Sequence, residues 1–555
     1  MKKVFLVMFA AAALLCSCGG NKDNGGSEDG GPMSVNFTFT PAAVCAGDEV
    51  SFDAEVKGGR SPYTYKWTMG DVALDLNRPS VKYTFHVTGA PVVKLDVTDA
   101  SGTTVQKKKV VVVDPPKVNE VGTLTVNWVG MMTGYNAKSA VAVADDGSVY
   151  STCRNNKLYK WSSTGSALWE KQIFTPTGSA VNYGTPSVDT DGTVFIGAGT
   201  SDGNGTFKAY KPNGDVKWTY SEWYNSNGGA PAPNILGPIA AIDGDYVYMG
   251  CTGTSGIVLS ADKATGARKG FTNPAGGVRS GIAISKSGLI HWYGGKYGVF
   301  GLGQATLNNG GNSPLAASSY WRTFGSGDKQ AVGNYEGQIA IVNVSGVPCV
   351  GGIVTDNIGT KVYAVNASTG AVVCETYISD TASQDQGGVV VDNSGNLVAS
   401  LNYSLGQDNG GIVIVNPSTQ TIVARYRTQE KVSGSPAVDA AGNIHFGTES
   451  GFYYIVKQEG GQCNLLVKRD VAALVKADAR YTDSFSRLGT AKIWCSPVIG
   501  DDGKMYICFT DSATRDNAAA AFGGVISLSY AGCTGPAASD WPMIGHDRRH
   551  TGKQN

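Results

Sequence analysis

Hydrophobic and polar positions change their pattern three times along this chain. Residues 4–15 form an unbroken apolar run behind Lys2 and Lys3. The run is too short to cross a hydrocarbon core of about 30 Å, and it reads as the apolar part of an export signal. Asn21 to Pro32, NKDNGGSEDGGP, carries no apolar residue and predicts a flexible tether. From residue 34 to 114 apolar and polar residues alternate, as in Val35-Phe37-Phe39 and Val93-Leu95-Val97. A period of two marks half-buried antiparallel strands. Asp114-Pro115-Pro116-Lys117 ends that stretch as a stiff linker.

From about residue 121 a longer phrase recurs at intervals of roughly 40 to 50 residues, the range of propeller blades. Each copy joins a small-residue strand, an Asp-Gly-type turn, a β-branched and aromatic strand, a second apolar strand and a Thr-Gly or Asn-Gly turn. Thr185-Pro186 leads to Asp191-Gly192, Val194-Phe195-Ile196, Phe207, Asn213-Gly214 and Trp218. Ser435-Pro436 leads to Gly442, Ile444, Phe446 and Tyr453-Tyr454, and Ser496-Pro497 leads to Asp502-Gly503 and Met505-Tyr506. Asp-Gly and Asn-Gly steps supply the positive φ of a tight hairpin. Eight copies can be counted, or seven if the irregular stretch 280–378 holds one rather than two. A single four-stranded blade cannot bury both faces, whereas a closed ring can.

Composition sharpens this picture. Lys plus Arg and Asp plus Glu are both 45, so the formal charge is zero, which argues against a nucleic-acid partner. Gly is 75 of 555 residues and charged residues are 16%, a balance suited to many short strands and tight turns. Of 11 cysteines, Cys16 and Cys18 fall beside the leader. The other nine are irregularly spaced and contain no CxxC, which fits neither a metal knuckle nor a small disulfide scaffold. An exported chain permits disulfides, but the sequence assigns no pair.

Several motifs resemble known families. Leu15-Cys16-Ser17-Cys18 resembles a bacterial lipobox, with Cys16 an unusual residue for its place. The resemblance implies a signal peptide over 1–17, a lipid on Cys18, a tether over 18–32 and attachment to a membrane. Lys22-Asp23 is similar to the surface-export signals of Bacteroidetes lipoproteins, which implies an outer-membrane protein facing the exterior. Tyr65-Lys-Trp67-Thr-Met-Gly70-Asp71, followed by Tyr83, Gly89 and Val93-Lys-Leu95-Asp-Val97, is similar to a PKD domain. That implies an immunoglobulin-like sandwich over 33–115 with Trp67 in its core, acting as a spacer. The blade phrases and the ending Asp540-Trp541-Pro542-Met543-Ile-Gly545-His546-Asp547-Arg-Arg-His550-Thr551-Gly552 resemble the PQQ-like β-propellers. That implies an all-β chain whose residues 121–555 form a propeller with a C-terminal latch. "PQQ-like" names a shape, and no cofactor is expected.

Catalytic signatures are sparse. Quinoprotein dehydrogenases of this shape use adjacent cysteines, and none are adjacent here. His546 and His550 stand four apart beside Asp547, but the terminal signature accounts for them without a metal. Gly199-Thr-Ser201-Asp-Gly203 fits GxSxG, yet it lies between strands and reads as a turn. No carboxylate pair can be defended, which leaves a hidden glycosidase or lyase pair open. Aromatic loops give the best binding signal. Trp223, Tyr224, Tyr320 and Trp321 are the ligand-binding candidates, while Trp218 and Trp292 are expected to pack between blades.

The expected function is a non-enzymatic cell-surface lipoprotein whose propeller binds a glycan or protein partner. One alternative is a periplasm-facing scaffold resembling the propeller lipoprotein of outer-membrane barrel assembly. Another is a carbohydrate-active enzyme.

Overall fold

The computed structural model describes residues 31–554 except 43, 47, 75, 86–88, 115–119, 135–138, 176–183, 200–204, 221–238, 252–256, 273–277, 279, 295–297, 312–313, 325–337, 357, 380–386, 402–409, 429 and 512–520. The leader, Cys18, the tether up to residue 30 and most of the GxSxG stretch lie outside the described residues. The chain divides into two compact units, 1–114 and 115–555.

The first unit is a sandwich of two antiparallel sheets. One holds Ser34–Thr40, Glu49–Lys57 and Ser80–Thr84; the other orders Val72–Leu74, Thr64–Met69, Val92–Thr98 and Thr104–Val110. Alternation decides which face is inside: Trp67, Met69, Val93, Leu95 and Val97 are buried, while Lys66 and Asp96 point outward. Trp67 is fully buried, 5.3 Å from Phe37 and 6.0 Å from Phe52 between ring centres. Its Nε1–H donates to Arg78 O at 3.0 Å, so the indole leaves no polar atom unpaired. The Trp67 of the PKD-like motif is a core residue, as its resemblance implies.

The second unit contains eight four-stranded antiparallel sheets among the described residues. In chain order they span 142–172, 187–220, 241–272, 283–323, 340–379, 389–427, 437–470 and 491–529, numbered here blades 1 to 8. The irregular stretch therefore holds two blades. Blades 3 and 8 each carry one additional short strand.

Blade 8 takes its outer strand from the other end of the unit. Thr125–Met132 pairs with Gly523–Ser529, which closes the ring by hydrogen bonds between distant parts of the chain. Inner strands are short and buried, and strands after the turn such as Val194–Gly199 and Asn443–Gly447 are buried along their whole length. At Gly147 and Gly192 φ is +77°, which supplies the left-handed step of these hairpins.

Candidate functional site: the inner ring and the tail that closes it

Adjacent blades are stitched near the ring's interior by small hydroxyls and backbone groups. Ala140 N–H donates to Thr185 Oγ1 at 3.1 Å, Ser187 Oγ to Ala240 O at 2.8 Å, and Ile282 N–H to Ile239 O at 3.1 Å. Gly281 N–H donates to Gln338 Oε1 at 2.9 Å, and Val389 N–H to Gln338 O at 3.2 Å. Gly388 N–H and Ser435 N–H donate to Ser435 Oγ and Ser496 Oγ, each at 2.8 Å. The Ser-Pro and Thr-Pro openings of the repeats thus have a shared purpose. A hydroxyl at that position accepts a neighbour's backbone N–H that would otherwise be buried unpaired.

The C-terminal segment 535–554 then runs along the free inner edges. Val143, Val188, Ile242, Ile284, Val391 and Val438 donate their N–H groups to the carbonyls of Arg548, Arg549, Thr551, Gly552, Trp541 and Pro542, at 2.7–2.8 Å. Those donors belong to blades 1, 2, 3, 4, 6 and 7. Blade 5 is reached by Asn343 N–H donating to Asp540 Oδ2 at 3.0 Å, and blade 8 by Arg548 Nε donating to Asp501 Oδ2 at 2.7 Å. Gln554 Nε2 donates to Asp540 Oδ1 at 2.9 Å, so the end of the tail returns to its start. Exposed strand edges invite foreign strands, and here the chain's own tail covers them.

The two histidines of the terminal signature serve this course. His550 is fully buried, and its Nδ1 meets Pro186 O at 2.9 Å. Burial holds its pKa below the ordinary imidazole value. His546 packs edge-on against Trp541 at 5.1 Å, with φ +78°. Its Nδ1 lies 3.7 Å from Asp547 Oδ2, too far for a hydrogen bond but near enough for charge to act. Asp547 accepts from Arg549 N, Thr551 N and Thr551 Oγ1 at 2.6–3.1 Å. Burial alone would raise its pKa, but His546 and these hydrogen bonds more than offset that and hold it at about 2.

On this face a cavity of about 410 Å³ opens between the tail and the inner hairpin turns of blades 4 and 6. Lys286, Asp392, Asn393, Asp540, His546 and Gln554 contribute to its lining. Asp392 accepts from Ser394 N, Asn396 N and Asn396 Nδ2 at 2.8–2.9 Å, so its first duty is to shape its own turn. Lys286 is exposed, and His546 Nδ1 is a buried nitrogen without a hydrogen-bond partner. Both charge signs and several amides meet here, a lining suited to a polar group rather than an apolar ligand.

The aromatic candidates divide. Trp223 and Tyr224 lie outside the described residues. Tyr320 and Trp321 are half-buried on the outer strand of blade 4, Tyr320–Thr323. Tyr320 packs edge-on against Trp292 at 6.3 Å and Phe300 at 5.7 Å. Trp321 donates its Nε1–H to Ala367 O of blade 5 at 3.0 Å and lies over Gly370, where an added Cβ would sit 2.5 Å from its ring. Trp128, Trp169 and Trp218 repeat the device toward Ser163 O, Pro212 O and Lys263 O of the next blade, at 3.0–3.1 Å. Trp321 therefore stands at an inter-blade post. Trp218 is a packing residue as expected, and Trp292 is fully buried and stacked on Phe300.

Comparison with known proteins agrees with this architecture. Residues 32–113 match the family model of the PKD domain, and residues 92–277 match the model described as outer membrane protein assembly factor BamB. No curated protein matches the sequence. Among solved structures, quinohemoprotein alcohol dehydrogenase from Comamonas testosteroni is similar with a TM-score of 0.51 and 12% identity, covering 73% of this chain and 76% of that one. BamB from Moraxella catarrhalis is similar with a TM-score of 0.46 and 13% identity, covering 74% of this chain and 98% of that one. At such identities the likeness to the dehydrogenase shows the fold alone. The chain thus joins a PKD domain to a PQQ-like β-propeller.

Proposed function

We propose that this chain is a non-enzymatic interaction propeller, held at the outer membrane by a lipid on Cys18 and facing the exterior, whose partner is a protein. The observation that carries the reading is the match of residues 92–277 to the assembly-factor model. The closed inner ring supports it, because a surface stitched in every blade can be recognised without paying an ordering cost on binding. A protein is preferred to a glycan because Trp321, whose ring could have served as a sugar platform, already packs against Gly370. The PKD domain serves as the spacer. A periplasm-facing scaffold is the alternative that the same match supports.

The test places a photo-crosslinking residue at Lys286 or Asn393 on the tail face, in cells whose surface is also shaved with proteinase K. Discrete protein adducts, together with cleavage of the propeller on intact cells, are expected. Protection until lysis would move the domain to the periplasmic side. Adducts absent at both positions, with binding of purified protein on a glycan array, would overturn the protein partner.

A further inference from the structure

At blade 7 two side chains of one hairpin, Asp439 and His445, meet Cys533 from a distant part of the chain, and all three are of types that can ligate a metal. Asp439 sits at the inner hairpin turn and His445 on the strand Asn443–Gly447 that follows. Cys533 comes from the turn after Gly523–Ser529, whose closing bond is Cys533 N–H to Tyr530 O at 2.9 Å. Ala440 N–H donating to Gly535 O at 2.9 Å, and a bridge between Asp439 and Pro536, bring that turn against the hairpin. One ligand atom from each of the three side chains lies within 4.8 Å of the others. Asp439 and His445 are fully buried, and Cys533 keeps 8% exposure.

We propose that Asp439, His445 and Cys533 bind one zinc-class divalent ion. The same hairpin elsewhere shows what the fold alone requires. In blade 6 Asp392 caps its turn through Asn396 N and Nδ2, both at 2.9 Å, just as Asp439 caps its own through Asn443 N and Nδ2, both at 2.8 Å. Blade 6 has Val398 where blade 7 has His445. Blade 4 has His291 there, but opposite Ser285 at 3.4 Å. Turn capping therefore accounts for Asp439 and does not itself require the imidazole and thiol beside it.

Their chemistry fits a divalent ion. One carboxylate, one thiolate and one neutral imidazole carry two negative charges, which such an ion balances in a site too buried to leave charge unpaired. A thiolate selects zinc over magnesium or calcium. Zinc–sulfur and zinc–nitrogen bonds of about 2.3 and 2.0 Å place tetrahedral ligand atoms roughly 3.3–3.8 Å apart. His445 Nε2 and Asp439 Oδ2 are 3.0 Å apart and all three ligand atoms lie within 4.8 Å of one another, so fitting an ion needs shifts on the order of an ångström. His445 Nδ1 faces Tyr453 OH at 3.2 Å, the outer partner that leaves Nε2 free to ligate. Binding releases the Cys533 proton to solvent. Uptake should therefore favour higher pH. Solvent fills the fourth position on the side where Cys533 is exposed.

The test is titration of chelator-treated full-length protein with cobalt(II), then displacement by zinc. One equivalent and a thiolate-to-cobalt absorption band are expected. The band should vanish in Cys533→Ser and persist in Cys463→Ser, a control at a partly exposed thiol. Tyr453→Phe, which removes only the outer partner, should weaken zinc binding by about 10-fold or more. If Cys533→Ser does not fold, wild-type protein decides: zinc should shield Cys533, and not Cys463, from alkylation. No band at saturation, a band of full strength in Cys533→Ser, or no zinc-dependent shielding would overturn the site.

Discussion

The propeller joins its blades in two ways, and the two arcs can be compared position by position. In blades 1, 2, 3, 5, 6, 7 and 8 the outer strand carries a one-residue bulge near the start of its pairing. The residue after the bulge is Trp169, Trp218, Gly270, Cys374, Ala424, Val467 and Trp128 in that order. Blade 4 places Trp321 there without a bulge. Trp128, Trp169 and Trp218 thus wedge one arc, blades 8, 1 and 2, and Cys374, Ala424 and Val467 the other, blades 5 to 7. Blades 3 and 4 interrupt the pattern with Gly270 and an unbulged Trp321.

The receiving turn decides which wedge fits. Trp128, Trp218 and Trp321 lie over Gly165, Gly266 and Gly370, where a Cβ would come within 2.5–2.7 Å of the indole. Between blades 3 and 4 the receiving surface is the helix Gln304–Asn308, and even a Cβ on Gly270 would meet Leu307 O at 1.8 Å. Blade 6 has Gln420 at φ +56° where blade 5 has Gly370, and Gln420 Nε2 reaches back to Val373 O at 3.3 Å. A side chain thus stands in the turn where the Trp321 joint has a bare glycine, and the blade 5 residue at the position of Trp321 is Cys374.

Trp128→Ala should break this arrangement most. It removes a fully packed indole and its bond to Ser163 on the strand that closes the ring. A loss of about 3–5 kcal/mol is expected in urea unfolding, against about 1–2 kcal/mol for Val467→Ala in the other arc. Equal losses would mean that the two arcs do not differ in how their joints hold.

Much of this was legible in the sequence, and the exceptions have causes. Asp-Gly and Asn-Gly steps exposed the blades because a hairpin needs the same φ each time. Trp67, Trp218 and Trp292 could be assigned to packing because each shares a strand face with apolar residues two positions away: Tyr65 and Met69, Val216 and Tyr220, and Ile290, respectively. Trp321 could not, since the inserted helix Gln304–Asn308 displaces its strand from the repeat period and makes Ser319-Tyr320-Trp321-Arg322 resemble a loop. The terminal signature announced a latch but not its circuit, because backbone donors such as Val143 and Val391 carry no sequence mark. Asp439 and His445 share one hairpin, but Cys533 joins them only when the turn after blade 8 packs on it, and no local spacing encodes that.

Gly370→Ala tests the turn rather than the wedge. The new Cβ adopts φ +74° and would lie 2.5 Å from the Trp321 ring. A cost of about 2–3 kcal/mol is expected from strain and displacement together. The reciprocal variant Gln420→Gly should cost less than about 1 kcal/mol, because relief of left-handed strain offsets the lost bond to Val373.

Acid should act on the tail that both arcs share. Asp547 has a folded pKa of about 2, below its ordinary value, so its contribution is complete above the unfolded carboxylate range and is lost as pH falls toward 2. His550 is also depressed, so its neutral form is favoured by folding, and protonation in the unfolded chain begins to erode stability below about pH 6.5. Stability should therefore fall in two steps on acidification, Asp547 contributing about 2–2.5 kcal/mol to the lower one. Asp439, Asp356 and Asp191 are also held below the ordinary carboxylate value, so Asp547→Asn should shrink the lower step rather than remove it, and should keep the upper one. A profile unchanged by that substitution would detach the tail from the acid response.

The smallest effect is the most discriminating, because it asks whether wedge and turn are one unit. Cys374→Trp alone forces an indole against Gln420 and should cost about 1–3 kcal/mol by overpacking. With Gln420→Gly beside it, the indole gains the surface that Trp321 finds on Gly370, and a carbonyl of the following turn becomes a candidate acceptor for its Nε1–H. The double variant should therefore be more stable than the sum of the single effects, by about 0.5–1 kcal/mol in a double-mutant cycle. Strict additivity would show that residue size in each arc is set by packing within its own blade, and that the match between wedge and turn is coincidence.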